Sequence, residues 1–555
     1  MAGKSFLGAL TGSAQRKIFR VVDVLRIVRL ARQVSHQARP NPGQRPVIFF
    51  NASTRLSGLS QNAAFSLIAS WALRLGCTPV VHFVCKAGMS RCVLGTDQDD
   101  LGRRPPCDMC ISQSRINYAY ADARWFTLRR DERLAESLAG LSLDKLTSYQ
   151  LSVISDQSLV TPHSSLLTRH LPLGALVLPS IRWRLRLHTL QNDEPTRFLF
   201  REYILSAWNI AREFETLLER VNPQAVIVFN GQFFPEATAA CLARQRGIKV
   251  ITYEVGFRPL TGFFTIGEAT IYPMDIPAGF ELNAEQNARL DAYLEQRFQG
   301  QFSMAGIRFW PEMKGLDESF LNKAAGFKQI VPVFTNVIFD TSQPHSNVVF
   351  PTMFAWLDTV LEAIRKHPET LFVIRAHPDE ARPGKSSRES VAEWVEQNQV
   401  SDLPNVVFVP PQEPLSSYEL IQRSKFVMIY NSTIGLEASI MGAAVLCAGK
   451  ARFTQYPTVY LPTTQEAFRQ QMEDFLAADE VNPLPEHQRQ ARRLLYFQLY
   501  RTSLPFEAYL EVAPQKGYVR LKSFGWKSLL PGASSTVRAL LDGILHGGDF
   551  LLKEH

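Results

Sequence analysis

Long apolar runs are missing from this 555-residue sequence. No stretch of 18 apolar residues occurs, which argues against a transmembrane helix, and the apolar stretch at the N-terminus is too short for a secretory signal. Cysteine is scarce: seven residues, an odd number, argue against an extracellular disulfide framework. These absences together predict a protein on the cytoplasmic side.

Motifs of nucleic-acid readers are also missing, since neither a DNA-reading zinc-finger spacing nor an aromatic RNA-binding motif occurs. The net charge of +8 favours acidic partners such as anionic lipid or phosphate-bearing substrates. We therefore expect no nucleic acid among the partners. The hydrophobic fraction of 46% is that of a globular protein, and the length suggests two domains with extensions.

Apolar strand patterns alternate with helical patterns in two separate series along the chain. The strand patterns lie at 47–51, 78–84, 225–230 and 249–253, and then at 329–335, 370–375, 405–409, 426–430 and 444–447. This rhythm predicts an α/β protein with two Rossmann-like domains built on parallel sheets. We place an N-terminal helix at 1–40, the first domain at 41–310, the second at 325–485, and C-terminal helices and a tail at 486–555.

The segment 16–34 predicts a basic amphipathic helix. Its apolar residues are Ile18, Val21, Val22, Leu25 and Val28, and its arginines are Arg16, Arg20, Arg26, Arg29 and Arg32. One interpretation is peripheral docking on the anionic inner face of the cytoplasmic membrane. The other is a helix packed on the protein itself, with its basic face in solvent.

A histidine-proline step follows the strand that ends at Arg375. Pro378 fixes the backbone after His377, so the imidazole leaves the strand in a defined direction. Such a histidine can donate to a phosphate oxygen, and Arg375 could add positive charge. The alternative is a loop histidine that only caps a turn.

A second polar group lies between the strand at 426–430 and the next helix. Ser432 or Thr433 can cap that helix, and the adjacent hydroxyls and amides suit a phosphate. Glu437, one turn further, could accept hydrogen bonds from a ribose diol. The alternative is an ordinary capped helix. The candidate residues of this segment are Asn431, Ser432, Thr433, Gly435 and Glu437.

Two further candidates come from other strand ends. Glu254 ends a strand of the first series and could act as a general base on an acceptor hydroxyl; alternatively it pairs with Arg258. Thr335 and Asn336 follow the first strand of the second series and could touch donor or acceptor, with turn formation as the alternative.

The ordered set Glu254-Val-Gly256, His377-Pro378 and Ser432-Thr433 resembles that of bacterial capsule and surface-polysaccharide glycosyltransferases. The sialyl-, polysialyl- and Kdo-transferases share an acidic-x-Gly motif, a His-Pro motif and a Ser/Thr pair in this order. The resemblance covers roughly 225–460. Val255 is a departure, because those families often carry a second acid there.

The resemblance implies a GT-B fold, with two Rossmann-like domains facing a central cleft. It implies metal-independent, inverting transfer of a sugar from a nucleotide donor, often a CMP-sugar, to a surface-polysaccharide or lipid-linked acceptor. Glu254 then corresponds to the base, His377 to the group on the donor phosphate, and Ser432 and Thr433 to phosphate ligands. The alternatives are a nucleotide-sugar epimerase, a CDP-glycerol-type transferase, and a non-catalytic assembly or glycan-binding protein.

Four cysteines lie close together as C-x6-C-x14-C-x2-C: Cys85, Cys92, Cys107 and Cys110. The last pair has the gap that lets two sulfurs reach one ion, so the four thiolates could hold a structural zinc ion, with an iron–sulfur cluster as a second choice. Unliganded thiols or one local disulfide are the alternatives. The three other cysteines lie in apolar contexts.

Overall fold

The computed structural model describes residues 21–52, 57–152, 170–299, 314–340, 343–384, 386–515 and 517–553. The strands are β1 (Val47–Asn51), β2 (Leu59–Ser60), β3 (Val80–Cys85), β4 (Asp122–Phe126), β5 (Leu151–Ser152), β6 (His170–Leu171), β7 (Ala225–Phe229), β8 (Lys249–Val255), β9 (Thr261–Ile266), β10 (Gln329–Phe334), β11 (Thr370–Arg375), β12 (Val406–Val409), β13 (Val427–Ile429), β14 (Val445–Cys447), β15 (Leu504–Pro505), β16 (Leu510–Val512) and β17 (Tyr518–Leu521).

The helices begin with α1, which is described over 21–37. The others are α2 (Gln61–Leu75), α3 (Cys107–Asn117), α4 (Glu132–Leu138), α5 (Leu143–Thr147), α6 (Leu173–Leu185), α7 (Glu194–Val221), α8 (Phe234–Gln245), α9 (Ala284–Phe298), α10 (Glu318–Ala324), α11 (Met353–Lys366), α12 (Val391–Gln397), α13 (Ser417–Gln422), α14 (Ile434–Ile440), α15 (Gln465–Ala477), α16 (Pro485–Phe497) and α17 (Ser535–Leu541). Among these described helices, none has the length and apolar character needed to cross a bilayer.

The chain divides into two compact units. Unit 1 contains the described residues up to Ile181, then Gln191–Thr270 and the chain from Tyr500 onward, and unit 2 contains Arg182–Leu190 and Ile271–Leu499. The predicted boundary near 310–325 is therefore displaced. The reason is that α9 is anchored in unit 2, where Asn287 and Asp291 accept hydrogen bonds from Arg492 of α16.

Unit 1 is built on a seven-stranded sheet with the order β15-β9-β8-β7-β1-β3-β4. The strands β8, β7, β1, β3 and β4 run parallel, and β9 and β15 are antiparallel additions at one edge. The chain moves from β1 to one side through β3 and β4, and then returns to the other side with β7. The point where the order reverses therefore lies between β1 and β7.

The helix α1 packs on unit 1 through a face that differs from the predicted one. Its buried residues are Ile27, Leu30, Ala31 and Val34, and they join the core formed by α2, the sheet and the C-terminal segment. Val21 and Leu25, predicted for the apolar face, are 58% and 62% exposed. The predicted positions 16–20 lie outside the described residues. The packing interpretation is thus confirmed for the second half of the helix.

Unit 2 contains a five-stranded parallel sheet with the order β12-β11-β10-β13-β14. Its strands are almost wholly buried and apolar, as expected when helices cover both faces of a parallel sheet. The order reverses between β10 and β13, since β11 and β12 extend the sheet on one side and β13 and β14 on the other. The α/β class with two Rossmann-like halves is confirmed.

Candidate functional site

The reversal point of the unit 2 sheet is lined by two asparagines. Asn336 follows β10, Asn431 follows β13, and the Nδ2 group of Asn336 donates to Oδ1 of Asn431 over 2.7 Å. The amide of Asn431 in turn donates to Ser346 Oγ over 2.6 Å. In open α/β sheets, ligands bind at the carboxyl ends of the strands beside such a reversal point. The structure therefore brings together two residues that the sequence nominated separately, and adds Ser346.

Arg375 ends the neighbouring strand, β11. The Thr335 hydroxyl donates to the Arg375 carbonyl over 3.0 Å, which joins the ends of β10 and β11. The guanidinium is buried, its Nη2 donates to the Glu413 carbonyl, and its Nη1 has no hydrogen-bond partner among the described residues. Burial lowers the pKa of Arg375 to about 10, against the opposing charge of Glu413, so the group stays cationic at neutral pH. A buried cation with an unpaired donor suits an anionic ligand.

His377 follows Arg375 and caps the short 3₁₀ turn Pro378–Ala381. The backbone N–H of Asp379 donates to His377 Nδ1 over 3.1 Å. Burial lowers the pKa of His377, Arg375 lowers it further, and Asp379 and Asp340 oppose the shift. The imidazole is therefore neutral at pH 7, and because Nδ1 accepts a hydrogen bond, its proton lies on Nε2.

The segment after β13 holds the serine-threonine pair. Thr433 stands at the N-cap of α14, but its hydroxyl makes no capping hydrogen bond. The predicted side-chain cap is therefore wrong at Thr433, because its backbone is already helical (φ −62°, ψ −18°) whereas a capping residue is extended. A Cβ at Gly435 would lie 2.2 Å from Ile429 Cδ1, so a larger residue at this position would require the Ile429 side chain to move.

Glu437 lies in a buried ion pair. Its Oε1 accepts from Arg297 Nη2 over 2.5 Å, and its Oε2 accepts from the Tyr418 hydroxyl over 2.5 Å. Only 5% of its side chain is exposed, against 9% for Arg297. The contacts give Glu437 a structural role, which is to tie α9 and α13 to α14. Its binding to a ribose stays a prediction.

Arg186 is a further candidate residue of this site, which the motifs did not indicate. Its guanidinium lies 4.2 Å from the Trp183 ring centroid and 4.8 Å from that of Phe339, in the loop after β10. It is 3% exposed, and its Nε and Nη1 have no hydrogen-bond partner within the described ranges. Burial lowers its pKa to about 10, nearby arginines lower it and Asp340 raises it. The only sequence signal was the basic-aromatic run at 182–186.

Glu254 belongs to unit 1, at the end of β8. The side chain of Asn230, which follows β7, donates to Glu254 Oε2 over 2.7 Å, and the backbone N–H of Val255 donates to Oε1 over 3.1 Å. Arg258, the predicted alternative partner, places its guanidinium 5.4 Å from the Tyr500 ring centroid. Two donors thus orient the carboxylate at the carboxyl edge of the sheet. The predicted base and the predicted phosphate ligands belong to different units.

The segment that holds the unit 2 site matches a known protein family. Residues 316–470 match the family described as "Capsule polysaccharide biosynthesis protein". This segment contains the ends of β10, β11 and β13, whereas Arg186 and Glu254 lie outside it. The match confirms the resemblance to capsule polysaccharide biosynthesis proteins that the motifs indicated.

Individual relatives are distant. Protein FixF of Sinorhizobium fredii (strain NBRC 101917 / NGR234) is 28% identical over 233 residues, which are 40% of this chain and 48% of that protein. The chain thus spans about half the length of the curated relative it matches.

The names of two similar solved structures give different activities. Thermosulfurimonas dismutans KpsC, a beta Kdo 2,4 transferase, has a TM-score of 0.34 and 13% identity, over 54% of this chain and 84% of that chain. The UDP-GlcNAc 2-epimerase from Neisseria meningitidis bound to UDP-GlcNAc has a TM-score of 0.25 and 12% identity, over 81% and 98%. Likeness at this level does not distinguish a transferase from an epimerase.

Proposed function

We propose that this chain is a glycosyltransferase that moves a sugar from a nucleotide-activated donor to a capsule or surface-polysaccharide acceptor. One observation carries the proposal: Asn336, Arg375, His377 and Asn431 converge on adjacent strand ends at the reversal point of unit 2. They do so within the segment that matches capsule polysaccharide biosynthesis proteins. Unit 2 is accordingly the donor-binding half.

The donor phosphate is the ligand that this chemistry fits. Arg375 and Arg186 are buried cations with unpaired N–H groups, and each can donate to an oxygen of a phosphate-bearing ligand. Neutral His377 carries its proton on Nε2 and can donate it in a hydrogen bond to a phosphate oxygen. As the bond between sugar and nucleotide breaks, negative charge grows on that phosphate, and these fixed donors stabilise it. The hydroxyls of Ser432 and Thr433 serve as further ligands.

Glu254 is the residue that acts on the acceptor. A carboxylate held by Asn230 and by the Val255 amide can take the proton of an acceptor hydroxyl as that oxygen attacks the sugar. A single in-line displacement inverts the configuration at the anomeric carbon. The buried arginines supply positive charge at the phosphate, which is the role that a metal ion has in metal-dependent transfer.

A nucleotide-binding measurement tests the donor half. CMP is expected to raise the melting temperature of the full chain by about 5–10 °C at a hundredfold excess over its Kd. The His377→Gln variant should lose most of this shift. His367→Gln is a matched control, because His367 precedes β11 and therefore lies at the opposite edge of the same sheet.

The nucleotide panel separates the alternatives. A shift with UDP and none with CMP contradicts the CMP-sugar assignment. No shift with CMP, UDP or CDP, or an equal shift in His377→Gln, contradicts a donor site at these strand ends.

A further inference from the structure

The four clustered cysteines converge on one cavity in unit 1, remote in sequence from the proposed donor site. Cys85 ends β3, Cys92 lies in the following loop, and Cys107 and Cys110 lie in the first turn of α3. All four line a cavity of about 30 Å³, together with apolar side chains such as Met89 and Leu94. Two segments separated by more than a dozen residues thus turn their thiols toward the same space.

The loop that carries Cys92 is long and has no helix or strand of its own. It runs over 86–106, and loops of this length in compact domains are uncommon unless something else holds them. Arg91, in the first arm of this loop, donates hydrogen bonds to the carbonyls of Leu101 (2.7 Å) and Gly102 (2.6 Å) in the second arm and so holds the two arms together. A Cβ at Gly95 would lie 2.8 Å from Pro105, so the arms touch beside the cavity.

The sulfurs of Cys85 and Cys92 accept backbone hydrogen bonds. The N–H of Gly88 donates to Cys85 Sγ over 3.2 Å, and the N–H of Gly95 donates to Cys92 Sγ over 3.2 Å. Amide donors of this kind surround metal-bound thiolates, where they tune and orient the ligand.

The geometry distinguishes a single ion from a larger centre. Around one Zn²⁺, sulfurs at about 2.3 Å from the metal lie about 3.8 Å from each other. Within the described ranges, no three His, Cys, Asp or Glu side chains are grouped so that they could hold a metal ion. The cavity also exceeds the roughly 10–15 Å³ that a single water-sized group needs. Four thiols that line one cavity but are not grouped around a single ion fit a centre with several metal atoms.

We propose that Cys85, Cys92, Cys107 and Cys110 bind an iron–sulfur cluster. Ligation by four cysteine thiolates is the common arrangement for such clusters. On binding, the four thiols lose their protons and bond to iron, and no other residue changes its covalent state. The cluster fastens the 86–106 loop to β3 and α3. It replaces the zinc ion that the spacing alone suggested as the first choice.

The wild-type chain gives the primary test. The full-length protein is purified without oxygen and reconstituted with ferrous iron and sulfide, and iron, acid-labile sulfide and zinc are then measured. The expected result is iron and sulfide in equal amounts, about two or four of each per chain, with absorption near 400 nm that bleaches on reduction. An iron- and sulfide-free chain overturns the proposal. So does one tightly bound zinc, or a disulfide between any two of the four cysteines in the oxygen-free protein.

Variants test which thiols hold the cluster. Cys92→Ser and Cys110→Ser should each lose at least half of the iron. Cys241→Ser is the matched control, because Cys241 lies in α8 of the same unit and outside the cavity, and it should keep all the iron. Equal iron in all three variants contradicts the ligand assignment. If the ligand variants fail to fold, the metal content of the wild-type chain still decides.

Discussion

Replacing Glu437 by alanine is expected to destabilise unit 2 by about 3–5 kcal/mol, the range measured when one partner of a buried ion pair is removed. The side chains of Glu437 and Arg297 are 5% and 9% exposed, and their charged atoms are 2.5 Å apart. Burial alone would lower the pKa of Arg297, but Glu437, Tyr293 and Tyr418 together outweigh burial and raise it. Arginine stays protonated at neutral pH even when burial lowers its pKa, so the alanine variant leaves an unpaired cation in a buried place.

Two further variants separate the contribution of the Tyr418 hydrogen bond from that of the buried ion pair. Tyr418→Phe removes only the hydroxyl that donates to Glu437, and a hydrogen bond to a charged group contributes about 1.5–3 kcal/mol. The double variant Arg297→Met/Glu437→Leu removes both charges and should cost less than either single change, because no unpaired charge stays buried. Glu437→Ala alone is the largest expected loss.

Thermal unfolding of the full chain measures these effects. For a unit of this size the loss corresponds to a midpoint about 6–20 °C lower. Arg489→Ala is the control, because its pair with Glu281 is about half exposed on both sides and should hardly move the midpoint. A Glu437→Ala midpoint equal to that of the wild type refutes the reasoning. So does a double variant whose loss equals the sum of the two single losses.

Three further variants test a candidate nucleotide ligand, a buried carboxyl group and the exposed side of α1. Arg186→Met should weaken nucleotide binding at least tenfold in calorimetry without lowering stability, because it removes a buried charge with unpaired donors. Burial raises the pKa of Glu380 to about 7, so the folded chain keeps a proton that the unfolded chain loses above about pH 4.5. The free energy of unfolding should therefore fall by about 3 kcal/mol as the pH rises from about 4.5 to about 7. Glu380→Gln should flatten this pH dependence in urea titrations. Leu25→Asp should reduce sedimentation with anionic vesicles and keep the melting temperature, because Leu25 is 62% exposed beside exposed arginines.

Each of these has a contrary outcome. Unchanged nucleotide affinity in Arg186→Met removes that residue from the donor site. A Glu380→Gln variant with the wild-type pH dependence assigns the titration to another group. Vesicle binding that survives Leu25→Asp leaves α1 as a packing element only; deleting the whole helix is a poorer test, because Ile27 and Leu30 belong to the core.

The strands and their polar ends could be predicted from the sequence because a buried parallel strand is a continuous apolar run. The residues after those runs must share one sheet edge, and the hydrogen bond between Asn336 and Asn431 is a direct consequence. The α/β alternation likewise predicted two Rossmann-like halves. The local sequence pattern was sufficient to predict contacts that depend only on neighbouring strands.

Long-range partners could not be predicted in this way. Arg186 is separated from Phe339 by about 150 residues, and Glu437 from Arg297 by 140, so nothing in the local pattern links them. The buried face of α1 was misassigned because both faces carry apolar residues, and residues distant in sequence, in α2, the sheet and the C-terminal segment, determine which face is covered. The domain boundary differs from the predicted one because hydrogen bonds from α16 hold α9 in unit 2, and the polar sequence of α9 does not indicate this contact.

Acceptor-dependent release of free nucleotide from a CMP-sugar is the most direct test of the proposed transfer. With a capsule or lipid-linked glycan acceptor, the wild-type chain should release CMP together with a glycosylated product. Glu254→Gln, still folded and still binding CMP, should slow this release at least a hundredfold, because the general base is lost. Release at the wild-type rate by Glu254→Gln, or CMP release without any transfer to the acceptor, would contradict the account.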